Sequence, residues 1–265
     1  MAGRDDRGAL AALPVSGVLL EKGSYRARLA LGADDVLAAQ RLRARCFATG
    51  TVDQDQFDAD CLHVLIECRS SGALAGCFRL MLLESGQELS QSYSSQFYDL
   101  SRLVGFSGRM LELGRFCLDP GVLDADVLRL AWGAVTSMVD RQGVALLFGC
   151  SSFAGTSPEA YIEAFALLQH RHLAPPLRRP GLKVAEARSF TDLLQGRSAQ
   201  QKPDLKQAQA QLPPLLRSYL AMGGWVSDHV VVDAALNTCH VFTGLEVTAI
   251  PAARKRLLRG VAEPL

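Results

Sequence analysis

The segment 111–120, LELGRFCLDP, sets an acid, Glu112, three places before a guanidinium, Arg115. Leu111, Leu113 and Phe116 give the run the character of a buried strand. Charges of both signs in such a strand are costly unless they have partners or work. The chemistry open to them is proton transfer by the acid and anion binding by the guanidinium. The alternative is a structural ion pair with a packing glycine. Strict alternation places Glu112 and Arg115 on opposite faces, because their spacing is odd. A bulge at Gly114 would turn both toward one cleft.

Three further groups carry charge in suggestive places. Asp53, Asp55, Asp58 and Asp60 precede an apolar strand at 63–68. They are either turn formers or a cluster able to bind an ammonium group or a metal. The spacing lacks the glycine and terminal glutamate of a calcium loop. Arg79 interrupts the apolar strand 74–81 and needs a carboxylate, from the aspartate segment or from Glu112. Arg41, Arg43 and Arg45 lie on a helix and read as a solvated face. His63 reads as a satisfied partner and Cys117 as a core residue. The proline-broken stretch QHRHLAPPLRRP (169–180) is a solvated loop or a docking patch for something acidic.

These residues must be positioned by alternating strands and helices. A first strand is expected at 25–31, then a helix capped by Asp34 or Asp35 and a hairpin of the strands 63–68 and 74–81. A serine- and glutamine-rich loop covers 84–105. After the strand 111–120, a helix capped by Asp124 or Asp126 carries the stripe Val127, Leu130, Ala131, Ala134, Val135 and Met138. A buried strand at 144–148, a small-residue loop at 149–155 and a helix opening at Ser157–Pro158 follow. A last helix begins at Pro213–Pro214, and strands at 225–232 and 240–248 close the sheet, joined through Asp233 and Asn237. The order predicts an α/β (α+β) fold with neighbouring, roughly parallel strands. The expected organisation is a poorly ordered arm at 1–23, one domain at 24–250 with a mobile excursion at 195–211, and a basic tail at 251–265.

The 265 residues are 49% hydrophobic with net charge +1, enough for one sizeable core and too balanced for bulk nucleic-acid binding. Seven cysteines without regular spacing predict reduced thiols in a cytoplasmic protein, with no metal site. No apolar run is long enough to span a bilayer, and no convincing signal peptide opens the chain. The tail ARKRLLRG is a weak signal for peripheral membrane contact.

Four segments, RLRARCF (41–47), DQFD (55–58), GCFRL (76–80) and ELGRF (112–116), resemble in order and spacing the branch of the GNAT acyltransferase superfamily that uses acyl-carrier-protein. Acyl-homoserine-lactone synthases and L-ornithine N-alpha-acyltransferases both share them. ELGR, LFGCSSF (147–153), HRHLAPP (170–176), LPPLLRSYLAMGGWV (212–226) and VVDAALNT (231–238) resemble the ornithine group. The resemblance implies a GNAT fold, a mixed sheet splayed around the strand 111–120 with helices on both faces. It implies transfer of a fatty acyl group, 3-hydroxylated, from the 4'-phosphopantetheine thioester of acyl-carrier-protein to the alpha-amine of ornithine, with no bound cofactor. In that reading Glu112 is the general base, and Arg115 holds the substrate carboxylate or orients Glu112. Asp55 and Asp58 hold ammonium groups, Arg79 shares the carboxylate role, and Arg171, Arg178 and Arg179 dock the carrier. The turn DPGVLDADV departs from the pattern, because Asp124 and Asp126 would repel a phosphate and no basic residue precedes Arg129. The alternatives are an acyl-homoserine-lactone synthase using S-adenosylmethionine, an N-acyltransferase for another amino acid, and a non-catalytic carrier binder.

Overall fold

Alternating apolar residues and short polar turns build the first half of the chain as an antiparallel meander. The computed structural model describes residues 17–122, 124–196 and 201–262. Strands β1 (Val18–Lys22) and β2 (Tyr25–Leu29) form a hairpin turned at Gly23, whose φ of 56° is easy only for glycine. Helix α1 (Ala33–Phe47) follows. Its Asp35 accepts the Leu31 N–H at 2.8 Å and pairs with Arg28. Strands β3 (Leu62–Cys68) and β4 (Leu74–Leu83) make the expected hairpin. Short 3-10 turns and a two-residue strand β5 (Tyr98–Asp99) occupy the serine-rich connection to β6 (Arg109–Leu118).

Helix α2 (Ala125–Gln142) starts at Asp124, whose side chain accepts the Asp126 N–H, and stops at left-handed Gly143. Its predicted apolar stripe is buried from Val127 to Met138. Truncating Leu130 in that stripe would cost about 2–5 kcal/mol. Then come β7 (Val144–Ala154), α3 (Ile162–Arg171), β8 (Gly181–Leu182), β9 (Ala187–Ser189) and α4 (Phe190–Leu193). Helices α5 (Leu205–Gln211) and α6 (Pro214–Ala221) precede β10 (Trp225–Val226), β11 (His229–Asp233) and β12 (Thr238–Glu246). Helix α7 (Ala252–Ala262) is the last described element.

The main sheet runs β1-β2-β3-β4-β6-β7-β12-β11-β9, with β10 beside β12. Every pairing along it is antiparallel except β6 with β7. That parallel pair, bridged by α2, runs from Arg109 to Glu112 against Val144 to Phe148 and then stops. Past it, β6 stays with β4 while β7 follows β12, so the sheet opens. At the point of parting, a Cβ on Gly149 would lie 2.3 Å from the Leu113 carbonyl oxygen, so only glycine lets the strands meet there. α2 packs with Leu111 and Leu113 on one face, and α1 covers Cys77 and Cys117 on the other.

Four expectations are corrected. The arm at 1–23 contains β1, whose Leu19 and Leu20 are buried; its residues 1–16 lie outside the described residues. The small-residue segment 149–155 belongs mostly to β7, because β12 pairs with it out to Ala154. The excursion at 195–211 contains α5, packed on α3 through Ala208. The tail at 251–265 contains α7, which docks on α2 through Leu258 and an Arg259–Asp140 pair.

Candidate active site

Glu112 and Arg115 converge through a bulge, although not at Gly114. Gly114 pairs with Arg79 and Cys117 with Cys77, so Phe78 alone faces both Arg115 and Phe116. Arg115 is the bulged residue and adopts φ of 50°, a left-handed conformation that costs about 1–3 kcal/mol for a side-chain-bearing residue. At Gly114 itself a Cβ would meet Arg79 Nε at 3.4 Å, an ordinary contact, so neither space nor backbone conformation reserves that position for glycine.

What holds Arg115 is a buried charge cluster. Its Nε donates to Asp53 at 2.9 Å and its Nη2 to Asp55 at 3.0 Å. Arg79 Nη1 donates to Asp55 at 2.5 Å and to Asp58 at 2.6 Å. Arg43 Nε donates to Asp53 and its Nη1 to Asp58, both at 2.8 Å. Gln40 adds a donor to Asp58 at 2.9 Å. Burial works to raise the Asp58 carboxyl, but Arg43, Gln40 and Arg79 hold it well below the usual carboxylate range. Burial also opposes ionisation of Asp55, which Arg79 and Arg115 keep low. His63, whose Nε2 lies 3.0 Å from the Asp58 carbonyl oxygen, is lowered by its burial.

The cluster corrects three sequence expectations. Arg43 is 1% exposed and is no part of a solvated face. Asp55 and Asp58 have their oxygens committed to arginines, so they brace the bulge and are not open to a substrate ammonium. Arg79 has both Nη atoms on the two aspartates and is 2% exposed, which turns its guanidinium toward the cluster.

Glu112 stands outside that cluster. Its Oε2 accepts the Tyr93 N–H at 2.8 Å, and its Oε1 accepts the Ser94 N–H at 2.8 Å and the Ser94 hydroxyl at 2.6 Å. Burial pushes its carboxyl above the ordinary range, against three donors that favour the charged form. Arg115 reaches Glu112 indirectly, its guanidinium lying 4.8 Å from the Tyr93 ring centre.

Where β6 and β7 part, a cavity of about 360 Å³ opens, within the range of small-molecule sites. Glu112, Arg115, Tyr93 and Cys150 line it, together with apolar residues such as Phe116, Leu128 and Leu215. Thr238 and His240 of β12 also line it, and sequence reasoning missed both. The available signal was a histidine in an apolar strand, TCHVFTGL, paired with a strand ending in Asp233. The Tyr98 hydroxyl lies 2.9 Å from both His240 Nδ1 and the His240 carbonyl oxygen. With the hydroxyl proton on the carbonyl, Nδ1–H donates to the hydroxyl oxygen and Nε2 is the accepting nitrogen in that tautomer.

The expected docking arginines lie elsewhere. Arg171 is exposed; Arg178 stacks on Phe106 and lies 3.5 Å from Glu246; Arg179 donates to the Ala174 carbonyl. None lines the cavity. A neighbouring groove that shares Leu128 and Pro214 with it carries Arg129, Arg217 and Arg254. All seven cysteines are free, and Cys117 is a core residue 3.6 Å from Cys77. Among the described residues, no group of three or more His, Cys, Asp or Glu could hold a metal, and no helix is long and apolar enough to cross a membrane.

Residues 39–133 match the acetyltransferase (GNAT) domain model. The chain is 31% identical over 246 residues to the L-ornithine N(alpha)-acyltransferase of Rhodobacter capsulatus, covering 86% of this chain and 92% of that protein. It is 29% identical to the Brucella abortus protein of the same name, covering 94% of each. Among solved structures, it is similar to FeeM, an N-acyl amino acid synthase from uncultured soil microbes (TM-score 0.47, 10% identity, 84% of this chain and 91% of that one).

Proposed function

We propose that this chain, which belongs to the L-ornithine N(alpha)-acyltransferase family, moves a 3-hydroxylated fatty acyl group from acyl-carrier-protein to the alpha-amine of ornithine. One observation carries the reading. Glu112 is a buried carboxylate on the cavity wall, at the point where the sheet opens, and it has no ion-pair partner among the described residues.

Acyl transfer from a thioester to an amine needs an unprotonated amine, a polarised carbonyl and a route out for the thiolate. Glu112 takes the proton that the acceptor nitrogen loses, directly or through one water. The nitrogen attacks the thioester carbonyl, the C–N bond forms, the C–S bond breaks, and the departing sulfur leaves as the carrier's thiol after gaining a proton. Beyond Glu112 the β6 backbone has no strand partner on the β7 side, and one of its N–H groups is the candidate donor to the oxyanion. Arg115 spends Nε and Nη2 on aspartates, which leaves Nη1 for the alpha-carboxylate of the acceptor.

A carrier-borne donor suits the surface around the cavity. Asp124 caps α2 and Asp126 pairs with Arg129 at 2.6 Å, so the first turn of α2 is satisfied internally and offers little to the phosphate of a phosphopantetheine arm, which leaves the carrier to be held by its protein surface. Arg217 and Arg254 in the adjoining groove suit an acidic protein surface instead.

The test is a mass-spectrometric product assay with 3-hydroxyacyl-carrier-protein and ornithine, lysine, glycine, glutamine or S-adenosylmethionine. Acylated ornithine is the expected product, and Glu112→Gln should lower its rate by about 10²- to 10⁴-fold. Acylation of a different acceptor, or wild-type turnover by Glu112→Gln, would refute the assignment.

A further inference from the structure

Five carboxylates among the described residues are buried: Asp53, Asp58, Glu67, Glu112 and Asp233. Arginines neutralise the first three. Glu112 and Asp233 have no ion pair among the described residues, and Tyr93 touches both, its N–H donating to Glu112 and its hydroxyl donating to Asp233 at 3.2 Å. A buried acid with one hydroxyl and one backbone N–H, from Leu236 at 3.1 Å, is short of positive charge.

Two more acceptors stand beside Asp233. The β11–β12 register sets it opposite Thr238, and His240 is the next residue on the same face of β12. Thr238 Oγ1 and His240 Nε2 are buried atoms with no hydrogen-bond partner, and both residues line the cavity. A carboxylate, a hydroxyl oxygen and an imidazole lone pair at neighbouring strand positions, the last two on the cavity wall, match an ammonium group with its three N–H donors.

We propose that Asp233, Thr238 and His240 form a subsite for the side-chain ammonium of the acceptor amino acid. The proposal rests on the acyl-transfer reading and assigns it the specificity element that Asp55 and Asp58 do not supply. Burial pushes the His240 imidazole down to about 4, although Asp233 pulls the other way, so the ring is neutral at pH 7 and can accept from a cation. Along β7, Glu112 is level with Phe148 and His240 with Ser152, a separation of four residues or about 13 Å of strand. With side chains reaching in from both ends, that span suits a short chain bearing an amine at each end.

The experiment compares kcat/KM for ornithine and norvaline, which has the same carbon chain without the ammonium, using 3-hydroxyacyl-carrier-protein. Wild type should prefer ornithine. In Asp233→Asn that preference should shrink about 10- to 100-fold, through KM for ornithine rather than kcat. His240→Asn, which keeps a donor for Tyr98 and removes Nε2, should act in the same direction. Glu112→Gln should lower both substrates together, separating the base from the subsite. An unchanged preference in folded Asp233→Asn, judged by wild-type Tm, overturns the subsite, as does a wild type indifferent to the ammonium. Acylation of neither substrate by wild type overturns the acyl-transfer reading along with it.

Discussion

Replacing Arg43 with methionine tests whether the buried charge cluster carries the site. Arg43 is 1% exposed and its guanidinium reaches Asp53 once and Asp58 twice. Methionine fills much of the volume but takes the three-arginine, three-aspartate cluster from neutral to one net negative charge. Breaking a buried pair from one side costs about 3–5 kcal/mol. Asp53 keeps Arg115, and Asp58 keeps Arg79 and Gln40, so the lower end, about 3 kcal/mol, applies. At about 2–4 °C per kcal/mol for a chain of this size, Tm should fall by about 6–12 °C. The deficit should shrink on acidification. Asp55 and Asp58 have depressed carboxyls, so the stability they contribute is present above the ordinary carboxylate range and is lost as pH falls through their folded values. The variant has less of it to lose. Thermal melts at pH 7 and at about pH 3, below the ordinary aspartate range, would show this, and Arg43→Met/Asp58→Asn should lose less than the sum of the single changes. A Tm within about 2 °C of wild type at pH 7 would refute the reasoning, since a cluster worth so little could not hold Arg115 in a left-handed turn.

Two further outcomes are expected. Glu112 must be ionised to accept a proton, and burial raises its carboxyl, so kcat/KM should fall with acid at a pH above that of an ordinary glutamate, a limb that Glu112→Gln should lack in a pH–rate profile. Charge reversal at Arg217 and Arg254 together should raise KM for the acyl carrier while leaving KM for the acceptor near wild type; reversal at Arg171 should change neither KM.

Much of this was legible in the sequence because it is local. Apolar alternation located β3, β4 and β6, and the stripe with its acidic cap located α2. The splay of the sheet beside β6 was implied by the family resemblance and by no local pattern. The remainder depends on partners far along the chain. GCSSFA reads as a turn from its small residues, yet β12 supplies it with a strand to pair with. Arg43 reads as surface by helical spacing, until Asp53 and Asp58 fold over it. The Asp233, Thr238 and His240 grouping depends on the register of two strands, which no local pattern fixes.

The short parallel seam between β6 and β7 has a consequence for assembly. Strands β1 to β4 and β6 can pair by local hairpins and two longer connections, but β7 joins them through only a few rows and gains its long partner, β12, some ninety residues later. Until β12 arrives, β7 presents open backbone along an apolar edge, the kind of surface on which chains stick to one another. The far wall of the cavity is therefore built last, and a molecule halted before that step would hold Glu112 in place with nothing opposite it.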